Sequence, residues 1–174
     1  SQQTQPITTI KIASPVEVSI DPIGNVYLAT YNGNIIKYTP SLAKKYVFSP
    51  SNLNTISLLE AWQGLRIFSF QQDLQQFRLV NRNLSLYEDY SFPSGYIGFA
   101  EIAFPSSDNN VWLVDQRDLS LKKYNMQLER ITINTQLDLI LKQDNYKILH
   151  AWEYQNRLFI STGAVFYTHL RAHA

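Results

Sequence analysis

The sequence predicts an all-β protein assembled from repeated four-stranded antiparallel units, and three observations predict it. Turn signals come at short intervals, opening with Asp21-Pro22-Ile23-Gly24-Asn25 and Asn32-Gly33. Pro fixes φ, Gly accepts φ > 0, and Asn-Gly is the strongest short hairpin signal. The stretches between these turns are rich in β-branched and aromatic residues, as strands are. The pattern also repeats: Asn25, Leu65, Asn110 and Asn156 begin equivalent segments 40, 45 and 46 residues apart. Four short strands in a repeat of roughly 40–50 residues is the signature of a β-propeller blade. The 174 residues hold about three and a half such blades, at 15–53, 54–95, 96–145 and, in part, 146–166.

Residues 1–14 read as a polar lead-in followed by an outer strand over 7–13. In the first blade the strands fall at 16–20, 26–30, 35–38 and 44–48, with Lys44 and Lys45 suited to an exposed edge. The second blade places them at 57–62, 65–70, 77–80 and 85–92, and the third at 99–104, 111–115, 121–124 and 128–133. The partial blade supplies 148–152 and 157–161. The second strands (NVYLAT, LRIFSF, NVWLVD, NRLFIS) are largely apolar on both faces, as sheets sandwiched between neighbours should be. Val26, Leu28, Ile67, Val111, Leu113, Leu158 and Ile160 are therefore the expected core. A short helix could start at Leu137, but it has no room beyond two turns. Residues 167–174, YTHLRAHA, look like a translated sequencing adapter and read as a non-native tail.

Composition narrows the function classes. Lys+Arg number 15 against 14 Asp+Glu, a formal net charge of +1, so the sequence carries no electrostatic footprint for nucleic acid. The absence of cysteine removes disulfides, thiolate catalysis and Cys-ligated zinc. No apolar run approaches the ~20 residues of a membrane span. Charged residues make up only 17%, and 13 Asn with 13 Gln supply the missing polarity. The compartment stays open, with export (periplasmic or secreted) the favoured side because of the amide-rich composition and the polar start at Ser1.

The opening unit resembles the NHL repeat through Pro15, Val18, Ile20, Asp21, Gly24, Asn25, Val26, Tyr27, Ala29, Ile35, Lys37 and Tyr38. The third unit resembles it through Ile102, Asn110, Val111, Trp112, Asp115, Leu121, Lys123 and Tyr124. Glu17 stands where that family usually has Gly, and Thr30 where the third unit has Asp115. The resemblance implies a propeller serving as a protein-binding, RNA-binding or, occasionally, enzymatic scaffold.

No motif names a chemistry. The three histidines are His150, His169 and His173, and His150 sits in a first strand near the expected axis. Asp115-Gln116-Arg117-Asp118 reads as an Asp-capped turn with a local Arg pair, since it lacks the further oxygen ligands of a calcium loop. Asp21, Glu60, Glu101 and Glu153 lie where first strands end and read as solvated carboxylates. Trp62 and Trp152 look repeat-equivalent and suited to packing between blades.

The leading expectation is thus a non-enzymatic interaction scaffold whose face binds a protein, peptide or glycan, with no nucleic acid, cofactor, metal or catalytic residue assigned. Its candidate binding residues are Tyr31, Asn32, Gln72, Asp73, Tyr96, Arg117 and Asp118, all in connections at one end of the blades. The alternative is a hydrolase or lyase with an axial site completed by further blades.

Overall fold

The computed structural model describes residues 9–12, 15–141 and 147–163, and the strand Phe166–Arg171 as backbone. Of the strand expected over 7–13, residues 9–12 carry none and the others lie outside the described residues. Residues 1–8 of the lead-in and 172–174 of the tail also lie outside them.

Four antiparallel sheets follow one another, each a meander whose strands pair in sequence order. The first contains β1 (Pro15–Ile20), β2 (Val26–Thr30), β3 (Ile35–Tyr38) and β4 (Lys44–Phe48). The second contains β5 (Leu58–Glu60), β6 (Arg66–Gln71), β7 (Gln76–Asn81) and β8 (Tyr87–Ser91). The third contains β9 (Ala100–Pro105), β10 (Val111–Asp115), β11 (Ser120–Asn125) and β12 (Arg130–Gln136). The fourth has three strands: β13 (His150–Tyr154), β14 (Arg157–Ser161) and β15 (Phe166–Arg171). Two 3-10 turns, Gln72–Leu74 and Leu137–Leu139, are the helical segments among the described residues. The expected start of a short helix at Leu137 is thus a single turn.

The first strands stand side by side, β1 against β5, β5 against β9 and β9 against β13. The sheets pack face to face, and alternation along each strand divides the core. In the second sheet Ile67 and Val80 pair and pack with Tyr27, Ala29 and Ile35 of the first. Phe68, Phe70 and Phe77 belong to the other cluster, with Ala103, Leu113 and Val114 of the third sheet and Leu158 and Ile160 of the fourth. Phe77 stacks on Phe68 at 5.6 Å and on Tyr90 at 5.1 Å. Truncation of such a ring to Ala costs about 3–5 kcal/mol. Six of the seven expected core residues are buried; Val26, the first residue of β2, is the exception and is half-buried.

Two repeat units share a device that explains their Lys and aromatic positions. Lys37 pairs across the ladder with Tyr27 and lies 5.1 Å from its ring centroid. Lys123 does the same with Trp112, also at 5.1 Å. Burial of each lysine stem over a ring keeps the ammonium near polar partners: Lys37 Nζ donates to the Arg82 carbonyl and Lys123 Nζ meets Asp108 at 2.5 Å.

Candidate functional site

The loops joining first to second strands come together at one end of the sheets. In the loop at 21–25, Asp21 accepts from the Ile23 and Asn25 N–H groups and from the Asn25 amide, which buries it rather than solvating it. The loop at 106–110 closes the same way, Ser106 N–H donating to the Asn110 carbonyl as Asp21 N–H does to that of Asn25. The fourth sheet instead turns on Gln155 and Asn156 alone, both at positive φ. That shorter turn makes Trp62 and Trp152 non-equivalent: Trp62 lies in a loop, 47% exposed, whereas Trp152 is inside β13 and stacks on Phe159.

Three of these loops interlock. Gln63 Nε2 donates to the Ser106 carbonyl at 3.0 Å. Glu153 accepts from Ser106 Oγ at 2.8 Å, Ser107 Oγ at 2.5 Å and Trp112 Nε1 at 2.6 Å. Beneath them lies a groove of about 920 Å³ between the second and third sheets, reaching the β13–β14 turn. Phe68, Leu79, Val111 and Met126 give it apolar walls, and Glu60, Glu88, Glu153 and Arg66 give it charge. Trp62 and Tyr154 meet at its mouth, edge to face, with centroids 6.0 Å apart.

Of the four carboxylates expected to be solvated, Asp21 is buried and Glu60, Glu101 and Glu153 are half-buried. Asp21 and Glu153 are held by the bonds just described. Burial raises the pKa of Glu60, with the Trp62 N–H bond to Oε1 at 2.7 Å opposing it only in part. Burial likewise raises that of Glu101, against the pull of Lys147. A place at the end of a first strand suggested water; the structure puts Glu101 near the start of β9 instead, and neighbouring loops cover Glu60 and Glu153. An acid next to aromatics near the end of a first strand, Glu60-Ala61-Trp62 and Trp152-Glu153-Tyr154, is the sequence signal that could have pointed here.

The candidate binding residues lie at the other end, in three places. Tyr31 and Asn32 are exposed in the β2–β3 turn, where the Tyr31 carbonyl accepts from Thr55 Oγ1. Gln72 and Asp73 lie in the 3-10 turn after β6, and the Gln72 amide donates to the Glu101 carbonyl at 3.0 Å. Gln75 completes that clamp, exchanging hydrogen bonds with both backbone groups of Ala100. Tyr96, Arg117 and Asp118 gather around Lys122, whose Nζ reaches Asp118 at 2.8 Å and the Tyr96 carbonyl at 3.3 Å. The local Arg pair expected in this turn is replaced by a buried lysine: Lys122 Nζ also binds Asp115 at 2.7 Å. Arg117 contributes its N–H to Asp115, and its stem lies flat over Gly98. Burial opposes ionisation of Asp115, but Lys122 and the N–H groups of Gly98, Phe99 and Arg117 outweigh it and hold the pKa at about 2.

His150 keeps an exposed edge beside the Trp152 ring, 5.1 Å away, and burial lowers its pKa. His169 and His173 fall where no side chain is described. Among the described residues no group of three or more His, Cys, Asp or Glu could hold a metal ion, and no helix is long and apolar enough to cross a membrane.

Sequential four-stranded meanders with their first strands side by side make this a β-propeller fold, about three and a half blades of it. Solved propellers agree. A streptogramin B lyase structure superposes with a TM-score of 0.61 at 12% identity, over 85% of this chain and 48% of its own. A catalytically inactive virginiamycin B lyase from Staphylococcus aureus, with quinupristin, gives 0.58 at 13%, over 93% and 57%. YCF48 bound to a D1 peptide gives 0.61 at 11%, over 91% and 50%. The chain spans about half the length of these structures, and at such identities the likeness is one of fold. No protein-family model and no curated protein matches the chain.

Proposed function

We propose that this protein is a non-enzymatic binding module whose groove takes an extended polypeptide segment. The observation that carries the reading is the groove: about 920 Å³ of open space with apolar walls and polar groups from three sheets. Ligand sites of ~300–1,000 Å³ combine these same two kinds of lining. The interlocked loops order the walls in advance, so little freedom is lost on binding. A propeller solved with a bound peptide favours this partner class over a glycan. The units are read here as NHL-like, a repeat whose propellers include protein-binding scaffolds.

Probing the chain against an array of unmodified synthetic peptides tests this. Binding is expected, with at least fivefold loss in Tyr90→Ala and Met126→Ala and none in Tyr31→Ala or Asp73→Ala. Loss in the latter pair alone would move the site to the opposite end, among the turn-tip residues. A second reading, an enzyme completed by further blades, is favoured by Glu101 and His150, which burial biases toward their neutral forms. Turnover in a hydrolase and lyase screen, abolished by His150→Ala, would put that reading in place of the first.

A further inference from the structure

We infer that the groove recognises its polypeptide through a lysine or arginine side chain, seated against the rings of Trp62 and Tyr154 with the Glu60 carboxylate as counter-ion. The inference rests on the binding reading above and adds the chemistry of the partner.

Three carboxylates line the groove among the described residues, and two already have partners. Glu153 is held by two serine hydroxyls and the Trp112 indole N–H. Glu88 accepts from the Tyr90 hydroxyl at 2.7 Å and faces Arg66 at 3.9 Å. Glu60 has one hydrogen bond, from its neighbouring Trp62 N–H to Oε1, and no cation within ion-pair reach among the described residues. It is half-buried all the same, between the loop of Trp62 and Gln63 and the strand of Trp152 and Glu153. A carboxylate in that setting has lost solvation without gaining a counter-charge, and an incoming cation restores the balance.

The rings beside it complete the case. Trp62 and Tyr154 are 47% and 43% exposed, large rings left open at the mouth of a groove rather than packed away. A cation near an aromatic face gains about 0.5–2 kcal/mol, more as water is excluded. The protein uses the same combination internally, where Lys123 lies against Trp112 and pairs with Asp108. Among the described residues Arg66 is the one cation in the groove lining, so an anionic segment would meet three carboxylates with little compensation. A neutral glycan would stack on the rings but leave Glu60 unpaired.

The test uses the Trp62 indole N–H resonance in an NMR titration with Ac-Ala-Ala-Arg-Ala-Ala-NH2 and its citrulline counterpart, which keeps the length and planar shape but lacks the charge and carries a carbonyl acceptor in place of one terminal amino donor. The expected result is saturable binding of the arginine peptide, about tenfold tighter than the citrulline peptide. Glu60→Gln should remove most of that difference while leaving citrulline binding unchanged, and Trp62→Leu, read at the Trp152 indole, should weaken the arginine peptide. Equal binding of both peptides in the groove would overturn the cation inference and leave the polypeptide reading in place. If neither peptide moves any groove resonance while the array of unmodified peptides also stays blank, both fail together.

Discussion

Asp115 has no exposed surface, and Lys122 keeps only 3% of its side-chain area in contact with solvent. Between them they tie the β10–β11 turn to the segment before β9 through Gly98, Phe99 and Tyr96. Removing one member of a buried pair leaves a charge without compensation, at a cost of about 3–5 kcal/mol. Asp115→Asn should therefore destabilise the chain by about 3 kcal/mol, whereas Asp115→Leu with Lys122→Met should recover most of the loss. The pH dependence follows from the direction of each shift. Asp115 ionises at about 2 in the fold against about 3.9 in an unfolded chain. Its contribution is full above the unfolded value and is lost as pH falls toward 2. The Lys122 pKa is raised: burial works against the charge, and both aspartates outweigh it. Its share is present at neutral pH and is lost only as pH rises through the folded value, beyond 10.5. Thermal melts followed by circular dichroism from pH 2 to 8 should show an acid limb in the wild type that is flattened in Asp115→Asn.

The turns are where local chemistry sets the elements, and Gly33 is the sharpest case. It sits at φ +83°, and a Cβ there would drive into the Asn54 carbonyl oxygen of the following connection. Gly24, at φ +89°, meets only the Pro40 side chain at ordinary contact distance. Urea unfolding should accordingly show Gly33→Ala losing about 2 kcal/mol or more and Gly24→Ala about 1 kcal/mol. These turns are also why the strands were legible in the sequence: Asp-Pro and Asn-Gly mark their ends, and β-branched runs fill the space between. The groove was not legible, because it is assembled from the loops of three sheets that are distant in sequence. Glu153 reads as a solvated strand-end acid until Ser106, Ser107 and Trp112 are brought to it from about 40 residues away. Equating Trp62 with Trp152 failed for a local reason, since a two-residue turn replaces a longer loop and shifts the alignment of strand to sequence.

At the scale of the molecule, the first sheet has one face on which no described sheet packs. Val18, Leu28, Ile36 and Val47 lie opposite one another across the four strands of the first sheet, an apolar row on its outward face. Val18 and Val47 are 56% and 44% exposed, with Ile20 beside them at 51%. A row of that kind promotes association. Light scattering on the 174-residue chain should show a mass that rises with concentration. Val18→Lys with Val47→Lys should suppress the rise while shifting the melting temperature little. A monomeric mass at every concentration in the wild type would count against this.

The sequential strand order has a kinetic consequence. Every ladder joins neighbours in the chain, so each sheet forms by closing short loops, at small entropic cost and without waiting for distant segments. A single sheet nevertheless cannot cover its own apolar faces: Tyr27 and Ile35 of the first need Ile67 and Val80 of the second before they are dry. Hairpins can thus appear early and independently, whereas lasting order spreads only when one sheet docks on the next. A ribosome delivering the chain from its N-terminus would release the blades in the order in which they stack, each new sheet finding the previous face ready to receive it.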